Sequence, residues 1–357
     1  MEKNKKIKKI ISNLIIFILL IGLTFFLVFK DQDVSEILNV AMGVKKQYLL
    51  IAILAMCIYI SCESINVKRT LNALGEKTNF FQNIRYTLIG FFFSSITPAA
   101  SGGQPMEIYY MHKDKVSVAN STLALLMQLS SFQIVTISIG IISAVLNFDV
   151  IKNGLIYLVV IGILLNSTAL ALLLISILSK KLSDGLIKIA IKILKFFKVK
   201  NIEDKKTKLE SELSKYQESA VYIKSHKLVM LKTLLTTLIQ VIVYYSIPYW
   251  VYLAFGFSGF NIFQIITLQA VLYATVSGIP SPGAVGVSEG GFIGIFKNVF
   301  PQTMISSAML LNRGISFYLL VLISGVVVIV TALRTKKTEK IENSIEQENV
   351  EIKEEEQ

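Results

Sequence analysis

Two carboxylates and one guanidinium stand in or beside long apolar runs of the sequence. Glu107 lies in GGQPMEIYY, Glu289 in GVSEGG and Arg313 in MLLNRGISFYLL. A lone ion in the hydrocarbon of a bilayer costs about 2.5 to 3.5 kcal/mol on insertion scales, so such residues usually pair or face a watered cavity. We therefore predict that Glu289 and Arg313 pair or face one cavity. The alternative is that water near an interface shields each of them separately.

Glu107 follows a stretch rich in proline and glycine, and Glu289 lies within another. These stretches are TPAASGGQP, residues 97 to 105, and SGIPSPGAVGVSEGG, residues 277 to 291. Proline and glycine free backbone N–H and C=O groups, which hydrocarbon cannot satisfy. The second stretch is therefore expected to line an interior polar site, where helix ends can hold a charged or phosphate-bearing group. The alternative is a helix break that serves packing alone.

Soluble-enzyme chemistry finds little support in the sequence. His112 and His226 lie in charged segments, and no histidine and cysteine set has metal-ligand spacing, so no metal or cofactor is expected. Neither glycine-rich stretch reproduces a nucleophile elbow or a phosphate-binding loop, and no catalytic residue is assigned. Glu63 is as consistent with a helix end beside Lys68 and Arg69 as with a functional role.

The composition is that of an integral membrane protein. Of the 357 residues, 53% are hydrophobic and 17% are charged, and the mean hydropathy is +0.62. Runs of about 20 apolar residues match the hydrocarbon thickness of a bilayer. The sequence predicts an all-α fold with about six full transmembrane helices, at residues 10 to 29, 47 to 65, 118 to 147, 153 to 178, 228 to 254 and 302 to 332.

The basic residues fix an orientation for these spans. Clusters of lysine and arginine precede the first span and follow the second and the last, and residues 180 to 227 contain thirteen lysines. Six spans place all of these clusters on one side, as the positive-inside rule requires. We therefore expect a multi-pass protein of the cell membrane with both termini in the cytoplasm.

Two shorter apolar segments, residues 86 to 97 and 263 to 279, run into the Pro/Gly stretches. The first is too short to cross and is expected to enter from the cytoplasm and return there. The second either re-enters from outside or crosses and recrosses. On the re-entrant reading the chain contains two units of span, broken hairpin and span in opposite orientation, an inverted repeat of the kind found in transporters.

One membrane domain, residues 1–335, accounts for most of the chain, and residues 336–357 read as a charged, solvated cytoplasmic tail. Within the basic connector of residues 180–227, one helix is expected to lie in the interface, facing anionic lipid; the alternative is a solvated helix end. No nucleic-acid partner is expected. The lysines on one face of that helix are Lys181, Lys188, Lys192 and Lys195.

The segments Thr97 to Met111 and Gly278 to Phe292, with the later span around Arg313, resemble the flippase-like membrane family that includes the transmembrane region of lysylphosphatidylglycerol synthase. The resemblance covers about residues 8 to 333. It implies a polytopic domain that handles lipids. In the two-part synthases such a domain is similar to a module that moves aminoacylated phosphatidylglycerol between leaflets, and this lipid modification is associated with resistance to cationic antimicrobial peptides. By motif, the resemblance assigns the substrate path or headgroup site to Pro98, Gly102, Gly103, Glu107, Pro282, Gly283, Gly286, Glu289 and Arg313.

The sequence departs from the two-part synthases of that family, because its largest aqueous segment, about fifty residues, is smaller than an ordinary transferase domain. We therefore expect lipid translocation or binding by the membrane half alone, with a separately encoded soluble transferase as a potential partner. The alternatives are a phosphatidylglycerol lysyltransferase that uses lysyl-tRNA, a small-molecule secondary transporter, and a structural scaffold.

Overall fold

A computed structural model describes residues 34–152, 155–178, 202–279 and 281–334. Over these ranges the protein is all-α, with no strand, which confirms the predicted fold class. The predicted span at residues 10 to 29, the basic helix with Lys181, Lys188, Lys192 and Lys195, and the tail of residues 336–357 lie outside the described residues.

The helices follow one another along the chain with short connections. In order they are α1 (Val34–Met42), α2 (Lys46–Ala73), α3 (Phe80–Ser95), α4 (Gly103–Lys113), α5 (Val118–Leu146), α6 (Phe148–Ile151), α7 (Leu155–Leu178), α8 (Ile202–Ser225), α9 (Lys227–Tyr245), α10 (Ile247–Ala254), α11 (Ile262–Val276), α12 (Val287–Phe296) and α13 (Ile305–Arg334).

Five spans among the described residues are long and apolar enough to cross a membrane. They are α2, α5, α7, the pair α9 and α10, and α13, and they correspond to the second to sixth predicted spans. Proline at the start of α10 removes a backbone donor, which accounts for the break between α9 and α10 at Ser246. The five described spans confirm that the protein is a multi-pass membrane protein.

Two broken hairpins lie between these spans. Hairpin 1 comprises α3, a 3₁₀ turn at Pro98–Ala100 and α4, and hairpin 2 comprises α11, a 3₁₀ turn at Pro282–Ala284 and α12. The longest of their helices has 16 residues and is about 24 Å long, shorter than the roughly 30 Å of a bilayer's hydrocarbon core. The two 3₁₀ turns pack against each other, so the tips of the two hairpins meet.

The two hairpins open toward opposite ends of the bundle. Arg85 and Lys113 of hairpin 1 share an opening with Arg334, the last residue of α13, and we call this the basic end. Phe300, which follows hairpin 2, packs on Phe255 and Phe257 just before the start of α13, and we call this the aromatic end. Since α13 has 30 residues and is about 45 Å long, the two ends lie on opposite sides.

A repeated start signal accompanies this opposite orientation. Asn79 caps α3 and exchanges hydrogen bonds with Gln82, and Asn261 caps α11 and does the same with Gln264. Such a capping box satisfies two backbone donors at a helix start. In each hairpin the glutamate, Glu107 or Glu289, comes 28 positions after the capping asparagine. The two units therefore have the order and the orientation of an inverted repeat.

Candidate functional site

The turn of hairpin 2 has an unusual backbone that depends on its glycines. Gly283 and Ala284 have φ of 59° and 52°, in the left-handed region that favours glycine. A Cβ on Gly283 would lie 2.2 Å from Cζ of Phe317, so a side chain there would collide with α13. Pro282 starts the turn and is buried. Gly286, with φ of 86°, ends the turn and presents its backbone N–H to α12.

Glu289 accepts three hydrogen bonds at the start of α12. The Gly286 N–H donates to Oε2 at 2.7 Å, and Nε of Arg313 and the hydroxyl of Tyr318 each donate to Oε1 at 2.8 Å. Glu289 is 1% exposed and Arg313 is 7% exposed, so this ion pair is buried. The predicted pairing is therefore present, while a role in holding a headgroup stays a prediction.

Arg313, on α13, contacts both the turn and α12 of hairpin 2. Its Nη2 donates to the carbonyl of Gly283 at 3.1 Å, and its guanidinium lies 4.2 Å from the ring centroid of Phe317. Both Phe317 and Tyr318 belong to a π-helical turn, Gly314–Tyr318, that follows Arg313. A π-helical turn changes the register of a helix and is frequent at functional sites. Here it brings both aromatic rings to the guanidinium.

A cavity of about 390 Å³ lies where the two hairpin tips meet. Its wall includes Ala99 and Ala100 of the first turn, Gly283 and Ala284 of the second, and Arg313 of α13. This volume is within the range of small-molecule binding sites. The cavity is therefore the place where freed backbone groups and a charged side chain are accessible together.

Three polar side chains of the cavity wall have no hydrogen-bond partner among the described residues. They are Oε1 of Gln269 on α11, Oδ1 of Asn312 on α13 and the hydroxyl of Ser281 in the turn. Gln269 is 8% exposed and Asn312 is 4% exposed. An unpaired buried polar group costs free energy, about 1–3 kcal/mol, so these atoms indicate a ligand or water that completes them.

Hairpin 1 places its candidate residues differently. Pro98 and Gly102 flank its turn, and the Gly102 N–H donates to the hydroxyl of Thr97 at 2.9 Å. Gly103 allows α3 and α4 to approach, since a Cβ there would lie 2.0 Å from the hydroxyl of Ser94. Glu107 is buried between the same two helices and does not line the cavity at the hairpin tips.

The residues of the motifs thus separate into two groups. Gly283 and Arg313 line the cavity. Glu289 does not line it, but forms an ion pair with Arg313. The remaining motif residues shape the turns or lie in hairpin 1: Pro98, Gly102, Gly103, Glu107, Pro282 and Gly286.

Other polar residues of the site were not singled out by sequence reasoning. Gln269, Ser281 and Asn312 are uncharged and lie in or beside apolar helices. Asn312 is adjacent to Arg313, which was the signal that could have identified it. Glu63 lies ten residues before the end of α2 rather than at a helix end, because this helix continues to Ala73.

Comparison with known proteins identifies relatives of this chain. Residues 10–324 match the family model described as "Lysylphosphatidylglycerol synthase TM region". The chain is also similar to a protein of Archaeoglobus fulgidus named "UPF0104 membrane protein", with 23% identity over 300 residues, 82% of this chain and 90% of the relative.

Proposed function

We propose a function for this chain from one premise: it belongs to the family of the lysylphosphatidylglycerol synthase transmembrane region, whose model matches most of its length. The proposed function is to bind the polar headgroup of a glycerophospholipid in the cavity between the hairpin tips and to move that lipid between the leaflets of the cell membrane. The acyl chains would stay in the bilayer while the headgroup passes the tips.

The observation that carries this proposal is the composition of the cavity wall. It contains one cation, Arg313, and the unpaired acceptor oxygens of Gln269 and Asn312. Two N–H groups of Arg313 are bound to Glu289 and Gly283, which leaves further donors of the five-donor guanidinium for a phosphate. The oxygen atoms of Gln269 and Asn312 can accept from an ammonium or a hydroxyl group. Phosphate and an adjacent amine or hydroxyl are the parts of a phospholipid headgroup.

The position of the cavity also supports movement rather than binding alone. One hairpin leads from the basic end and the other from the aromatic end, and their tips meet at the cavity. In transporters built from inverted repeats, the substrate site lies near the midplane between such halves. A site there can open to either leaflet if the halves rock against each other.

The test is a lipid-translocation assay with purified protein in liposomes. Fluorescent phosphatidylglycerol and phosphatidylethanolamine are placed in both leaflets, and an impermeant reductant reports the fraction that reaches the outer leaflet. We expect the native protein to move labelled lipid from the inner to the outer leaflet, where the reductant reaches it. Arg313→Gln should slow this movement at least tenfold. Lys297→Gln, at an exposed position following α12, is the matched control and should keep the native rate.

Two results would contradict the proposal. One is an unchanged rate for Arg313→Gln in folded protein, and the other is no lipid movement by the native chain in either lipid. Formation of lysyl-lipid when this chain alone is given lysyl-tRNA and phosphatidylglycerol would favour the transferase alternative instead. Uptake of a water-soluble solute without lipid movement would favour the secondary-transporter alternative.

A further inference from the structure

A second polar centre lies between α2, α5 and α9. Nε2 of Gln240 on α9 donates to Oε2 of Glu63 on α2 at 3.2 Å. Oε1 of the same Gln240 accepts from Nε2 of Gln128 on α5 at 3.2 Å. Oε1 of Gln128 has no partner among the described residues, and Gln128 is 5% exposed. The hydrogen-bonded chain therefore runs from the carboxylate of Glu63 through Gln240 to Gln128, whose Oε1 has no donor among the described residues.

Glu107 of hairpin 1 belongs to this centre. Its side chain is 5% exposed and its Oε2 has no hydrogen-bond partner among the described residues. It occupies space left by Gly90 on α3, where a Cβ would lie 1.9 Å from Oε1 of Glu107. Ser64, the residue after Glu63 on α2, donates to the hydroxyl of Thr87 on α3 at 3.1 Å, and Thr87 lies three positions before Gly90. The half-buried Glu63 and the buried Glu107 therefore belong to one region of the packed helices.

No cation neutralises these two carboxyl groups within the described part of the chain. The ion pairs seen there join Arg85 with Asp114, Lys152 with Asp149, and Arg313 with Glu289. Arg69, on the same helix as Glu63, donates instead to Asn66 at 2.7 Å and to Thr236 at 3.0 Å.

The other titratable groups around the centre are mostly tyrosines. Tyr59 lies four positions before Glu63 on α2, and its ring centroid lies 4.9 Å from that of Tyr244 on α9. The span α5 contributes no titratable residue. The buried or half-buried titratable and charged groups on the elements packed around the centre, besides the two glutamates, are Tyr48, Tyr59, Cys62, Lys68 and Arg69 on α2, Arg85 and Tyr86 on α3, Tyr110 and Lys113 on α4, Tyr244 and Tyr245 on α9, Tyr273 on α11, and Arg313 and Tyr318 on α13.

The two halves of the inverted repeat differ at this point. In the second half, Glu289 forms an ion pair with Arg313, which lies on the span that follows hairpin 2. In the first half, the span that follows hairpin 1 is α5, and it contains no lysine, arginine or histidine. The carboxyl in the equivalent position of hairpin 1 is therefore left without a fixed counter-charge.

We propose that Glu63 and Glu107 form a proton-binding site, and that binding and release of one proton there couples lipid movement to the proton gradient across the membrane. This inference rests on the proposed function. A carboxyl buried without a cation takes up a proton rather than hold a bare charge in a medium of low dielectric constant. The proton attaches to a carboxylate oxygen from one side and leaves from the same oxygen to the other side. No other bond changes.

The donors around the site favour a proton over a metal cation. An alkali ion needs several oxygen ligands directed at one point, whereas the amide nitrogen of Gln240 points at Glu63 and occupies one of its oxygens. The described residues contain no group of three or more histidine, cysteine, aspartate or glutamate side chains placed to hold a metal ion. Intramembrane glutamates without such ligands serve as proton carriers in pumps and transporters.

The first experiment detects the proton without any lipid assay. Infrared spectra of the purified protein, recorded over a pH series, report the carbonyl band of a protonated carboxylic acid. We expect such a band near neutral pH in the native protein and its loss or strong reduction in Glu107→Gln. Glu218→Gln, at an exposed glutamate of α8, is the matched control and should retain the band. A band that is absent from the native protein, or unchanged in Glu107→Gln, would overturn the proposal.

The second experiment measures coupling in liposomes. With an imposed pH gradient, we expect the native rate of lipid exposure to change several-fold when the gradient is reversed, and Glu63→Gln and Glu107→Gln to lose this dependence. Dependence on a sodium gradient in place of the pH gradient would overturn the proposal. If the native protein moves no lipid while the infrared band disappears in Glu107→Gln, the proposed lipid function fails and the proton site stands.

Discussion

The Glu289–Arg313 pair is a buried charge pair whose carboxylate is also hydrogen-bonded to other nearby groups. Glu289 receives the Gly286 N–H and the Tyr318 hydroxyl in addition to Arg313. Removing one partner of such a pair leaves an uncompensated charge, which typically costs about 3–5 kcal/mol, whereas replacing both is far less costly. The pair should therefore behave as one unit in mutagenesis.

We predict that Glu289→Gln and Arg313→Gln each lower the melting temperature of the detergent-solubilised protein, and that the double variant melts at a higher temperature than the sum of the two shifts requires. The physical reason is that the double variant contains no unpaired buried charge. Scanning fluorimetry of the four proteins measures the coupling, with Lys297→Gln as a control at an exposed position. Strictly additive shifts would mean that water shields each charge separately.

At the scale of single residues, the sequence identifies charges better than neutral polar groups. Glu289 and Arg313 are conspicuous because ions are rare in apolar helices. Gln269 and Asn312 are uncharged, so their presence in apolar helices does not stand out in the sequence. Their position in the cavity wall is known only from the packing of α11 and α13. The sequence also left the role of Glu63 open, because the contact with Gln240 joins residues that are 177 positions apart.

Helix α8 shows how a polar element attaches to the membrane domain. Its residues Tyr216, Ala220 and Ile223 pack on Leu123 and Met127 of α5. Ser219 donates to Oδ1 of Asn120 at 2.7 Å, while the Asn120 amide donates to Glu76 at 2.8 Å. The connector between the two halves is therefore bound to the start of α5 and to the loop that precedes hairpin 1.

We predict that this attachment weakens at alkaline pH. Burial raises the pKa of the Tyr216 phenol to about 12, from the ordinary value of 10.0. Because the folded-state pKa is the higher one, the protonated phenol's contribution is complete below pH about 10 and is lost as pH rises through about 12. A spin label on α8 should gain mobility over this range.

The control for this prediction lies on the same helix. Tyr216→Phe should remove the alkaline step in label mobility, whereas Tyr222→Phe, at an exposed tyrosine, should leave it unchanged. A mobility step that persists in Tyr216→Phe would assign the alkaline transition to another group.

Among the elements, the hairpins were more predictable than the attachment of α8. Proline and glycine after short apolar segments indicated both turns, and the length of α11 and α12 decides in favour of re-entry at hairpin 2. The capping asparagines Asn79 and Asn261, each with a glutamine three positions later, are a sign of repetition that was recognised only from the structure. By contrast, the few apolar residues of α8 gave no indication of the helix on which they pack.

The molecule as a whole presents its two hairpins from opposite ends, and this arrangement can be tested by labelling. We predict that single cysteines at Lys77 and Ser258, the exposed positions before hairpins 1 and 2, react with an impermeant maleimide from opposite sides of the membrane. Gln302→Cys, exposed after hairpin 2, should behave as Ser258→Cys does. Intact cells and permeabilised cells give the two readouts.

The positive-inside rule assigns the basic end, and therefore Lys77, to the cytoplasmic side. A cysteine at position 77 should then react only after permeabilisation. Reaction of the Lys77 and Ser258 positions from the same side would contradict the opposed hairpins. Reaction of the Ser258 and Gln302 positions from different sides would contradict re-entry of hairpin 2.

The single crossing α7 lies between the two halves and sets their relative orientation. A half made of span, hairpin and span crosses the membrane an even number of times, so two such halves joined directly would face the same way. With α7 between them, the second half starts on the opposite side of the membrane from the first. The hairpins enter from opposite ends because one crossing, an odd number, separates the two halves.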